Sequence, residues 1–203
     1  MQFDAFVRRA RGVLLIVMAA LLAGCGAMTA QNPGGTYSPV NAVAVGGEPR
    51  VLLGGADVVA YFNEGRHRAG EARFASRVGD IGFHFASAEN KAAFDADPAR
   101  FLPQYGGYCA NGIAYGIPWG GDADTWKLID GKLYIFGGAA SKDAFELDEK
   151  ANLAQAEKYW REEIAGHHSF VRRAWRLVVR VPHYRSGEEL ARAVANAKAK
   201  PAP

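Results

Sequence analysis

The chain has two cysteines in its 203 residues, Cys25 and Cys109. It has no Cys-x-x-Cys-His run, which argues against covalent c-type haem. One cysteine and distant histidines also lack the spacing of a structural metal motif. Charge of neither sign dominates, with 24 Lys and Arg against 21 Asp and Glu. That balance argues against a general nucleic-acid binder and leaves room for a local basic patch. No internal repeat is found. The uncharged run Gly12 to Leu22 falls well short of the ~20 residues that span a bilayer.

That short run has a different meaning. Arg8, Arg9 and Arg11 precede it, and Leu22-Ala23-Gly24-Cys25 follows. A positive n-region, a short apolar h-region and small residues at a cleavage site describe an export leader. The last four residues resemble the bacterial lipobox, whose cysteine carries the lipid. Residues 1–24 are therefore expected to be a lipoprotein signal peptide, with Cys25 the lipidation site. Two or three acyl chains on Cys25 would make a stable membrane anchor. Gly26 is not the aspartate that retains lipoproteins in the inner membrane of enteric bacteria. The expected location is the periplasmic side of a bacterial envelope, with the outer membrane favoured over the inner. Cys109 is then a lone thiol in an oxidising compartment, or simply a buried small hydrophobe.

Four segments follow from composition and local pattern. After the leader, residues 25–42 hold the lipidated cysteine and a Gly/Pro/Asn-containing tether. A folded domain over 43–166 comes next, then a basic extension over 167–203. In the domain, Arg73 to Val78 and Ile81 to Phe85 flank Gly79-Asp80, a two-residue turn pair. This pairing sets Val78 opposite Ile81, Ser76 opposite Phe83, His84 opposite Ala75 and Phe74 opposite Phe85. Trp126 to Ile129 and Lys132 to Phe136 flank Asp130-Gly131, which suits a type I′ turn. Ser87 caps a predicted helix over 88–96 with Phe94 inward, and Asp97-Pro98 restarts a short turn. Ser141 opens a longer predicted helix to about Ala165, with Leu153, Ala156, Trp160 and Ile164 as its buried stripe and Gly166 as its stop.

The region from about Gly54 to Gly166 resembles the YHS-domain family, in particular its exported members. The likeness lies in Val59-Ala60-Tyr61-Phe62, Phe85 to Asn90, Phe94, Asp97-Pro98-Ala99-Arg100-Phe101, Pro103 to Ala110 and Trp126 to Tyr134. The resemblance implies a small α+β domain of antiparallel β-hairpins packed with short helices. It also implies a metal-related role. Metal-associated modules of the family carry cysteines where this chain has Ala86 and Asn90, and neither residue replaces a soft thiolate. That part of the family site is not carried over.

The candidate site therefore centres on Cys109, in the glycine-rich run Gln104 to Gly112 with Tyr105 and Tyr108. His84 stands on the polar face of the first hairpin beside small residues that leave room. If the loop folds over that face, Cys109, His84 and a tyrosine form a mixed-donor site suited to copper or zinc, or an axial haem position. The plain alternative is a core cysteine and an ordinary histidine. An enzyme would need Cys109 paired with His84 or His67, yet no basic run or helix start adjoins the thiol to activate it. Asp57, Asp122 and Asp124 read as solvated loop residues, and His167-His168 as an exposed pair.

In the extension, Arg172, Arg173, Arg176 and Arg180 share one face of a predicted helix over 170–181. The opposite face is apolar, which fits a membrane-surface helix. The alternative is a helix packed on the domain, its arginines in solvent or paired with Glu162 or Glu163. Pro182 ends it, Ser186-Gly187-Glu188-Glu189 is a capping box, and the tail from Lys198 is expected to be disordered. Three functions remain open: a non-enzymatic accessory lipoprotein binding a metal, ligand or envelope partner; a thiol redox enzyme using Cys109; and a structural envelope module acting through its basic helix.

Overall fold

A computed structural model describes residues 40–199. The leader, Cys25, residues 26–39 of the tether and the last four residues lie outside the described part. The fold is α+β, with two small sheets and eight helices among the described residues. Strands β1 (Ala42–Val45), β2 (Glu48–Leu52), β3 (Glu71–Val78) and β4 (Ile81–Phe85) form one sheet in the order β1-β2-β4-β3. Strands β5 (Asp122–Ile129) and β6 (Lys132–Phe136) form the other. The helices are α1 (Ala60–Asn63), α2 (Ala88–Ala96), α3 (Pro98–Phe101), α4 (Ala110–Ala114), α5 (Ala139–Glu146), α6 (Glu149–Tyr159), α7 (Ser169–Val178) and α8 (Gly187–Ala199).

Both hairpins form around their expected turns. Asp130 (φ 50°) and Gly131 (φ 71°) both take the left-handed conformation that a type I′ turn demands. Leu128 then pairs with Leu133, and Trp126 with Ile135. In the first hairpin Val78 faces Ile81, Ser76 faces Phe83 and Ala75 faces His84. The expected pairing of Phe74 with Phe85 does not form. The register breaks between Glu71 and Ala75, so that Glu71 faces Phe85. Just before this strand, the Gly70 N–H donates to Gly55 O at 2.8 Å. Gly70 passes so close to His84 that a Cβ there would meet the His84 carbonyl carbon at 2.4 Å.

Strand β6 divides the interior, because successive side chains leave a strand on opposite faces. Leu133 and Ile135 join a first core with Tyr61, Phe83, Phe85, Phe94 and Phe101. Tyr134 and Phe136 join a second with Tyr108, Ile113, Phe145, Ala156 and Ile164. Ser87 caps α2 as expected, its side chain accepting from Asn90 N, and Phe94 is buried. Pro98 occupies the first turn of α3, without a side-chain cap from Asp97.

Three boundaries differ from expectation. The single helix expected from Ser141 to Ala165 starts at Ala139 and breaks after Glu146. Asp148 caps a new helix by accepting from Ala151 N at 3.1 Å. Lys127 spans the break, donating to Glu146 and Glu149 at 2.7 Å each. The fold also begins earlier than Val43: Asn41 is buried and donates to Gly107 O and Gly121 O, both at 3.0 Å. Finally, Val181 is a buried member of the second core. The extension therefore completes the domain's packing, and α8 is regular through Ala199 rather than dissolving at Lys198.

Candidate functional site

Cys109 sits where the second core opens to the surface. Its N–H donates to Trp119 O at 2.9 Å, and it bridges Ile135 of β6. The chain then turns directly into α4, so Cys109 is the N-cap of a five-residue helix. This corrects the expectation that no helix start adjoins the thiol. Ala-Asn-Gly-Ile-Ala is too short and too rich in poor helix formers to signal a helix by itself. The sulfur accepts from Gly112 N at 3.4 Å and lies 3.1 Å from the Ser141 hydroxyl. Ser141, expected to open a helix, lies within the first turn of α5 and faces the thiol instead. The hydrogen bonds of the sulfur include no histidine.

A cleft of about 670 Å³ opens beside this pair. Cys109, Asn111 and Trp119, Ser141 of α5, and Leu190 and Val194 of α8 line it. The lining is mainly apolar. Asn111 is buried, and its Oδ1 has no hydrogen-bond partner. At the rim Lys198 pairs with Asp143 at 2.7 Å, linking the end of α8 to α5.

Helix α8 is held in place by the expected capping box. Ser186 N donates to Glu189 Oε2 at 2.7 Å, and Glu189 N donates to Ser186 Oγ at 3.3 Å. The Ser186 N–H first, and then the Ser186 hydroxyl, hold the Glu189 carboxyl below its ordinary range. Upstream, His183 Nε2 lies 2.9 Å from Ala114 O, and its ring stacks on Tyr115 at 5.5 Å. The segment leading into α8 is thereby pinned to α4.

His84 lies elsewhere. It is buried on β4 with Nε2 3.0 Å from Glu48 Oε2, and Glu48 also binds Arg77 at 2.6 Å. The room expected beside its small neighbours is filled: the Glu48 carboxylate lies over Gly82, and Gly55 and Gly70 press on His84. Cys109 and His84 therefore have separate partners and are not brought into one donor set. Among the described residues, no three His, Cys, Asp or Glu side chains converge as metal ligands. His67 is exposed near Tyr61, His167 is exposed, and His168 is the N-cap residue of α7. Asp122 and Asp124 are solvated as expected, but on strand β5 rather than in a loop.

Asp57 is the largest departure. It is fully buried rather than solvated. Oδ1 accepts from the N–H groups of Val59 and Ala60, at 2.9 and 3.3 Å. Oδ2 accepts from Ala86 N at 2.8 Å and Asn90 Nδ2 at 2.7 Å. Positions 86 and 90, where the YHS resemblance sets metal-binding cysteines, thus meet at one oxygen atom of this chain.

No family model, curated protein or solved structure matches the chain. What the fold defines is an α+β protein with an apolar cleft closed on one side by its C-terminal helix.

Proposed function

We propose that this chain is an exported, lipid-anchored, YHS-like binding protein without catalytic chemistry of its own. It holds a small, largely apolar molecule with a hydrogen-bond donor in the cleft beside Cys109. The observation that carries this reading is the cleft. Its volume of about 670 Å³ falls in the range of small-molecule sites, roughly 300–1,000 Å³, which are mostly apolar with a few polar groups. The Cys109–Ser141 pair and the unpartnered Asn111 oxygen supply those groups. Anchoring rests on the lipobox-like Leu22-Ala23-Gly24-Cys25.

The test is a fluorescence titration of the full chain with a dansylated fatty acid. Saturable binding that disappears in Val194→Trp, which adds bulk at a half-buried lining position, supports the reading. No binding, or binding indifferent to that substitution, removes it.

A further inference from the structure

Helix α7 presents its apolar face to solvent and its basic face to the protein. At 100° per residue, Leu177, Phe170, Ala174, Val178, Val171 and Trp175 form one continuous arc. That arc is exposed: Val178 to 80%, Val171 to 59%, Trp175 to 53% and Leu177 to 49%. The opposite arc is packed inward. Ser169 and Arg176 are buried. Arg173 donates to Pro118 O at 2.7 Å through Nη2 and 3.2 Å through Nε. Arg176 pairs with Glu163, donates to Val179 O at 3.3 Å and lies 5.2 Å over the Tyr159 ring. Arginines that sequence alone would offer to an acidic surface are thus engaged within the fold.

The position of α7 in the molecule indicates what covers it. The Tyr108 hydroxyl donates to Val40 O at 3.4 Å and is hydrogen-bonded by Ser169, the first residue of α7. The chain arriving from Cys25 therefore enters the fold beside the start of this helix. Residues 26–39 reach at most about 50 Å when fully extended, at ~3.5 Å per residue. An acyl anchor at Cys25 would keep the apolar arc close to lipid.

We infer that α7 lies in the interfacial plane of a lipid bilayer, burying Phe170, Val171, Trp175 and Val178 at the boundary between headgroups and acyl chains. Interfacial helices bind by buried apolar area together with attraction to anionic lipid. With Arg173 and Arg176 turned inward, the apolar part dominates here. Exposed Arg180, stacked on Tyr184 at 4.3 Å, stays at headgroup level. The proposal rests on the lipid-anchored reading only for proximity.

The full chain, extracted from membranes and reconstituted in phosphatidylcholine vesicles with acyl-brominated phosphatidylcholine, tests both parts separately. Flotation reports the anchor. The difference between wild type and Trp175→Phe isolates Trp175 from Trp119, Trp126 and Trp160. Bromolipid quenching of that difference signal, unchanged at high salt and lost in Val171→Asp/Val178→Asp while flotation persists, supports the proposal. Flotation with an unquenched Trp175 overturns it, as does cross-linking of two copies through α7 with no lipid contact. If flotation itself fails, the anchor reading falls. Quenching of Trp175 by added vesicles then still decides for α7, and its absence against.

Discussion

Asn90 donates its side-chain amide to Asp57 at 2.7 Å, joining residues that lie 33 positions apart in the chain. With Ala86 N on the same oxygen and Val59 and Ala60 on the other, this carboxylate ties the turn before α1 to the start of α2. It organises the region that the family resemblance would give to a metal. A buried carboxylate with several donors rigidifies its surroundings, and removing it leaves those donors unpaired.

Asp57→Ala should therefore destabilise the fold by about 3 kcal/mol or more, since each donor left unsatisfied in the interior costs about 1–3 kcal/mol. Asn90→Ala removes one donor and should cost less. Urea denaturation of both variants gives the comparison, and equal costs would contradict the shared-carboxylate account.

Phe94 packs against Phe83 at 4.7 Å and Phe85 at 5.0 Å between ring centres. Phe94→Ala should cost about 4 kcal/mol, as large-to-small changes of buried aromatics do. A loss under about 1 kcal/mol on thermal or urea unfolding would mean that the first core is looser than its geometry indicates.

Gly70→Ala tests the close approach of Gly70 to β4. The added Cβ would meet the His84 backbone at 2.4 Å, a contact that backbone cannot relieve by rotating a side chain. A destabilisation of about 3 kcal/mol is expected. Gly65→Ala, open in space but at a φ of 64°, should cost only about 1 kcal/mol for its backbone conformation. Similar losses in the two variants would contradict a steric approach at Gly70.

The capping box should make the start of α8 sensitive to pH. The Glu189 carboxyl is held below its ordinary range, first by the Ser186 N–H and then by the Ser186 hydroxyl. A carboxyl depressed in the folded state contributes stability above its unfolded value and loses it as pH falls through the folded one. Acidification below the ordinary carboxylate range should therefore fray the start of α8. Protection factors at residues 187–191, which divide out the intrinsic pH dependence of exchange, should fall there in wild type, whereas Glu189→Gln should lose most of that fall. Protection factors that stay flat with pH in wild type would sink the account.

The chain order itself determined much of this protein. Asp130-Gly131 and Gly79-Asp80 specify two hairpins because few residues tolerate positive φ. Ser87 and Ser186 specify helix starts because their hydroxyls satisfy N–H groups within three residues. These features are local, so a linear reading reaches them. Burial of Asp57, filling of the space beside His84, pairing of Cys109 with Ser141 and inversion of α7 are not local. Each was decided by groups tens of residues away that arrive only when the sheets and helices pack. An aspartate among small residues reads as solvated until Ala86 and Asn90 reach it. A basic helical face reads as exposed until Pro118, Tyr159 and Glu163 supply the acceptors and ring that draw its arginines inward.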